Sequence, residues 1–162
     1  MITIFILATF ILHLYYDWNQ GPVAEYKCKQ WWIDHNLIDD DKAVDRKKSI
    51  YDHDYECALS AHAWLWSFLI VLPGTIWWYK LGLFNYGIDE TIEITVGVLN
   101  LAWINALIHK HVDDAKANIG EFNLWTDQII HVIQVVLTIA LFIAVAIQNA
   151  QIDNIPLSRV FS

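Results

Sequence analysis

Charge is what this chain has least of. Only 17% of its 162 residues are charged, where an ordinary soluble domain carries about a quarter. That deficit excludes a conventionally solvated surface over much of the chain and points to a bilayer. Basic residues are the scarcer sign: ten Lys and Arg stand against eighteen Asp and Glu, for a net charge of −8. No broad basic face is available, which excludes nucleic acid as a partner. There are two cysteines, Cys28 and Cys57, and no Cys-x2-Cys, so neither a disulfide framework nor a cysteine zinc site is expected. The chain has no Gly-x-Ser-x-Gly elbow and no glycine-rich phosphate loop, which removes those routes to catalysis. The first ten residues are apolar but lack a basic leader and a small-residue cleavage site, so they read as a retained membrane segment. No internal repeat or low-complexity tract is present.

Apolar residues are abundant instead, at 56%, with nine tryptophans. They gather in four runs, at about 2–18, 58–79, 92–111 and 124–150. These predict an all-α integral membrane bundle of about four transmembrane helices, folded as one domain over 1–162. The first run is short for a span of roughly 20 residues. Tyr15, Tyr16 and Trp18 at one level, and Trp77, Trp78 and Tyr79 at another, suit the two headgroup zones.

Residues 19–57 form a polar, interfacial helical segment between the first and second spans. Gly21-Pro22 breaks the first helix, residues 23–36 read as helical, and Trp31, Trp32 and Ile33 suit an interfacial position. Asp39-Asp40-Asp41 reads as a solvated start for a second polar helix through Tyr55. Pro73-Gly74 is expected to kink or end the second span. Asp89, Glu90 and Glu93 fit the first turn of the third helix, residues 118–120 are a turn, and Asn123 is an N-cap for the fourth. Eight of the Lys and Arg residues fall on one side of this topology and two on the other. The positive-inside rule then places both termini outside and the 19–57 segment in the cytoplasm.

Histidine and aspartate recur four residues apart at the ends of these runs: His13 with Asp17, His109 with Asp113, and Asp127 with His131. That spacing puts both side chains on one helix face. The order is His-x3-Asp in helices heading inward and Asp-x3-His in the helix heading outward, as antiparallel neighbours require for matching layers. His62 lies at the same depth. Ionisable groups inside a membrane face the bundle interior, and a divalent cation is the simplest centre that gathers His13, Asp17, His62, His109, Asp113, Asp127 and His131. Imidazole with carboxylate suits Zn²⁺, Mn²⁺ or Fe²⁺. His35 and Asp39 share the spacing in a polar loop, so a single pair carries little weight; His53 and His111 read as solvated. Lys116 either neutralises a carboxylate, greets an anionic substrate or snorkels to the interface. Gln128 is a candidate hydrogen-bond donor to a ligand, and the tryptophans serve as belt and packing.

The run His109-x3-Asp113-x2-Lys116, followed by Asp127-Gln128-x2-His131, resembles the bacterial and phage membrane-protein family called domain of unknown function 3307. His13-x3-Asp17 and an early His62 in the second span match the same pattern, which covers both ends of the chain. Where that family has Gln four residues after its first Asp, this chain has Gly21, with Gln20 one residue earlier. The resemblance implies a bacterial inner-membrane setting, and the pattern is similar to that of membrane-bound metal-dependent hydrolases.

These readings lead to an expected function: metal-dependent hydrolysis of a membrane-associated substrate, a lipid phosphate ester or similar amphiphile. The ion activates water, and an unligated Asp17 or Asp127 acts as base. The alternative is a non-enzymatic phage or bacterial envelope factor that binds another membrane protein, with a structural cluster. Ion or proton movement is a third reading, disfavoured because the outer half of the spans has almost no polar residue.

Overall fold

The computed structural model describes residues 1–18, 26–35, 54–83, 88–152 and 156–161; the side chains of Asp17, Trp18, Asp54 and Arg159 lie outside that description. Among the described residues six α-helices follow one another: α1 (Ile2–Trp18), α2 (Lys29–Asp34), α3 (Asp54–Leu81), α4 (Ile88–Asp114), α5 (Leu124–Ile152) and α6 (Leu157–Phe161). A π-helical turn, Ala115–Ile119, extends α4. No strand occurs among the described residues.

Three stretches are long and apolar enough to cross a membrane: Tyr55–Leu81, Ile88–Ile119 and Leu124–Ile152. The apolar part of α1, Ile2–Tyr16, is shorter. At ~1.5 Å per residue, the 17 residues of α1 reach about 25 Å, a little under a typical hydrocarbon core. Along α4, Ile92, Val96, Leu99, Trp103 and Ile104 are about half exposed. An apolar face of that length is a liability in water and a natural surface in lipid.

Helix α3 is the centre of the bundle, packed against α1, α4 and α5. Pro73 lies inside it, and the helix neither stops there nor at Gly74 but runs on to Leu81. Proline costs one backbone hydrogen bond yet has a helical φ, and buried Val71 and Trp77 hold the helix on both sides of it. Gly82, at φ 83°, ends it. Trp77 and Trp78 do not face outward as belt residues. Trp77 stacks on Phe5 with centroids 5.0 Å apart, and the Trp78 indole donates to the Phe142 carbonyl at 3.0 Å. Tyr79 is 62% exposed, as is Tyr15.

Of the segment expected to be helical over 23–36, Tyr26 and Lys29–Asp34 are helical, with an extended Cys28 between them, and residues 23–25 and 36 lie outside the described residues. The Gly21-Pro22 break and the second polar helix lie outside the described residues. Asn123 caps α5 by accepting from the Thr126 backbone N–H at 2.9 Å, as its position implied. Asp89 and Glu90 stand in the first turn of α4. Gly120, at φ 74°, turns the chain after Ile119.

Gly74 sets the approach of α3 to α5: a Cβ there would lie 2.6 Å from three atoms of the Phe142 ring, whereas at Gly97 it would meet nothing within 4 Å. Gly74→Ala is expected to lower stability in detergent by about 1–3 kcal/mol through overpacking. Gly97→Ala should be neutral or stabilising by up to ~1 kcal/mol. Equal melting temperatures for the two variants would contradict this packing.

Candidate metal centre

The antiparallel helices bring four histidines to one end of the bundle. His13 comes from the end of α1, His62 from the beginning of α3, His109 from the end of α4 and His131 from the beginning of α5. All four are buried, and so are Asp113 and Asp127, each one turn from its histidine. The reversed order of His and Asp on α5 places the two pairs face to face.

Two triangles of ligand atoms result, joined through Asp113. In the first, His62 Nε2 lies 3.1 Å from Asp113 Oδ2 and 3.1 Å from His109 Nε2, and His109 Nε2 lies 3.4 Å from the same oxygen. In the second, His131 Nε2 lies 3.4 Å from Asp113 Oδ1 and 3.1 Å from Asp127 Oδ1. Ligands held at ~2.1 Å from one ion sit about 3.0 Å apart at octahedral angles and about 3.4 Å apart at tetrahedral ones. These separations match that range, and both groups are positioned to hold a metal ion.

The hydrogen bonds around the second triangle fix its chemistry. Gln134 Nε2 donates to the Asn105 carbonyl at 3.1 Å and to Asn105 Oδ1 at 3.3 Å, which turns Gln134 Oε1 toward His131 Nδ1, 3.2 Å away. An amide oxygen only accepts, so His131 carries a hydrogen on Nδ1. A neutral His131 therefore presents a bare Nε2 lone pair to two carboxylate oxygens. Asp127 Oδ1 is buried without a hydrogen-bond donor, its approach to His131 being close but poorly aligned. Three lone pairs that meet in a buried space repel one another unless a cation stands between them.

Two lysines approach the same carboxylates. Lys116 donates to Asp127 Oδ2 at 2.6 Å, and Gln128 adds a 3.2 Å bond to that oxygen. Of the readings open for Lys116, neutralisation of a carboxylate is the observed one. It is 29% exposed at the side chain, whereas the Asp127 that it binds is 1% exposed. The π-helical turn aims it at α5 rather than back along its own helix, and such turns are frequent at functional sites.

Lys27 was not foreseen. Its Nζ lies 2.6 Å from Asp113 Oδ2 and 3.4 Å from His62 Nε2, and the residue is 6% exposed. Asn118 pins it there by donating to the Lys27 carbonyl at 3.1 Å and accepting from the Lys29 N–H at 2.6 Å. Nothing in the sequence around Lys27 separates it from Lys29. Asn105, Gln134 and Trp66 also escaped notice, although each stands three or four residues from a site histidine on the same helix face. Trp66 stacks on His109 with centroids 4.2 Å apart and donates its indole N–H to His13 Nδ1 at 3.2 Å.

His13 stands beside the triangles, its ring 6.4 Å from that of His131. Its Nδ1 accepts from Trp66, and the two groups of ligand atoms do not include it. The side chain of Asp17 and all of His53 lie outside the described residues. His111 is exposed, and His35 is exposed and stacked on Trp31 at 4.1 Å.

Comparison with family models, with curated proteins and with solved structures found no match. The resemblance to domain of unknown function 3307 therefore rests on the motifs already quoted.

Because Gln134 sets the His131 tautomer, Gln134→Leu is expected to weaken divalent-metal affinity roughly 10–100-fold, the usual effect of losing a ligand's hydrogen-bond partner. Gln148→Leu, an exposed glutamine on the same helix, should leave it unchanged. Isothermal titration of the detergent-solubilised protein checks both, and unchanged affinity in Gln134→Leu would contradict the tautomer assignment.

Proposed function

We propose that this is a four-span integral membrane protein whose His/Asp cluster holds a divalent metal ion and hydrolyses a membrane-associated substrate. The observation that carries the proposal is the buried convergence of His131 Nε2, Asp113 Oδ1 and Asp127 Oδ1, three ligand atoms that are all acceptors when His131 is neutral. Zn²⁺, Mn²⁺ and Fe²⁺ are the ions that suit this mixture of nitrogen and oxygen. Such an ion, when bound, acidifies water and neutralises charge that develops on an ester oxygen.

The protein's own groups divide the remaining work. Asp127 has one oxygen bound by Lys116 and Gln128 and the other in the triangle, which fits a residue that holds the ion. We assign the general base to Asp17, from its position one turn beyond His13 in the sequence. Lys116, a partly exposed cation beside Asp127, meets an anionic headgroup. A lipid phosphate ester is the substrate class these groups suit. We further propose a bacterial inner-membrane location with both termini outside and the cluster near the cytoplasmic face, from the distribution of Lys and Arg.

A second reading has one specific observation in its favour. Lys27 and Lys116 each lie 2.6 Å from a carboxylate oxygen, so two lysines offset two aspartates with no ion present. In that reading the cluster is structural and the protein serves as an envelope factor that binds a membrane-protein partner.

Metal removal separates the two. An ion bound to the folded state alone, at a hundredfold excess over its dissociation constant, stabilises by about 2.7 kcal/mol. Chelation should lower the melting temperature accordingly, with His131→Ala and Asp127→Ala mimicking it and His35→Ala doing nothing. Asp17→Asn should keep metal and fold while slowing hydrolysis of lipid phosphates by about 10²–10⁴. Indifference to chelation, with no metal-dependent turnover, would favour the structural reading. For topology, single cysteines are introduced in a background lacking Cys28 and Cys57. A probe at residues 36–50 should be protected in intact cells and one at 83–88 labelled; the reverse pattern would put the site on the outer face.

A further inference from the structure

The two triangles that share Asp113 are not equivalent, and Lys27 makes the difference. In the His62–His109–Asp113 triangle, the Lys27 ammonium lies 2.6 Å from Asp113 Oδ2 and 3.4 Å from His62 Nε2. An ammonium only donates, so His62 Nε2 accepts from it. His109 Nδ1 faces His131 Nδ1 at 3.2 Å, and that atom carries the hydrogen set by Gln134. His109 Nδ1 therefore accepts, which puts the hydrogen of a neutral His109 on Nε2, turned toward Asp113 Oδ2 and His62. Every lone pair in this triangle then has a hydrogen aimed at it. The second triangle has the opposite character when His131 is neutral: with its hydrogen on Nδ1, facing Gln134 Oε1, the His131 Nε2 lone pair meets two carboxylate oxygens.

We infer that Lys27 is a resident second cation. It occupies the His62–His109–Asp113 triangle, so the centre takes one divalent ion, at Asp113 Oδ1, Asp127 Oδ1 and His131 Nε2, in place of two ions bridged by Asp113. This rests on the metal-binding reading above and extends it to the number and place of the ions. The arrangement has a consequence for charge. Among the described side chains, two divalent ions with Lys27 and Lys116 against Asp113 and Asp127 would give a net charge of about +4. One ion leaves two, the charge that a doubly ionised phosphate ester carries with opposite sign. Asn118, which pins Lys27 through its carbonyl and its neighbour's N–H, is the positioning residue for this cation.

The test is Mn²⁺ binding to metal-stripped, full-length protein in detergent, read by stoichiometry and by electron paramagnetic resonance. The native chain should bind one Mn²⁺ with the resolved six-line signal of an isolated ion. Lys27→Met vacates the first triangle and should bind two, with the broadened spectrum of a coupled pair. His62→Ala should retain the single native ion, and Asp127→Asn should lose it with a fall in affinity of at least tenfold. Adding His62→Ala to Lys27→Met should return the count to one, which also guards against a misfolded single variant. Two ions in the native chain, or one ion in Lys27→Met with the native spectrum, would overturn the inference while leaving the metal site standing. No Mn²⁺ bound to any variant would overturn the metal-binding reading itself.

Discussion

The constraint on which everything else depends is the meeting of one imidazole lone pair and two carboxylate oxygens in a buried space. His131 Nε2 stands 3.1 Å from Asp127 Oδ1 and 3.4 Å from Asp113 Oδ1. Acceptors this close repel, and a low-dielectric surrounding makes the repulsion worse. With His131 neutral, the surrounding residues do not relieve it by supplying a donor to Asp127 Oδ1. Instead they enforce it, because Gln134 and Asn105 hold the imidazole hydrogen on the far side of the ring. A fold that spends buried hydrogen bonds to create such a convergence specifies a place for a cation.

The rest of the bundle follows from delivering those groups to one level. Four helices run alternately, so each site residue must lie near the end of one helix or the beginning of the next. Below the cluster the polar chain passes from Gln134 to Asn105 and on to Thr138. Apolar packing then takes over with Ile70, Ile139 and Phe142. Among the described residues this polar path ends within the bundle, which suits a site approached from one face. On the open side, the π-helical turn carries Lys116 toward Asp127, and Asn118 in the same turn holds down Lys27. One irregular turn thus places both lysines.

The depth of the site was legible in the sequence because helical spacing and span boundaries are local properties. His109 with Asp113 and Asp127 with His131 could be placed on common faces by counting, and the antiparallel order did the rest. The helices themselves were legible by the same means. Pro73-Gly74 was expected to kink or end its helix; the helix does not end there, because packing on both sides carries it on to Leu81. Trp77 and Trp78 were assigned to the interface from their position at the end of a run, yet their faces turn inward to Phe5 and Phe142. Lys27 was illegible because its role depends on a tertiary contact with Asn118, 91 residues away. Its neighbours give it no periodicity to betray a buried position. The inequality of the two triangles was equally hidden, since it depends on which nitrogen of each ring carries the hydrogen.

The most direct test of the cation-binding claim is X-ray absorption at the zinc edge on Zn²⁺-loaded, full-length protein. The account predicts first-shell nitrogen and oxygen at about 2.0–2.2 Å, with outer-shell scattering from an imidazole that disappears in His131→Ala. A protein that retains no zinc would contradict it, as would a zinc spectrum that His131→Ala leaves unaltered.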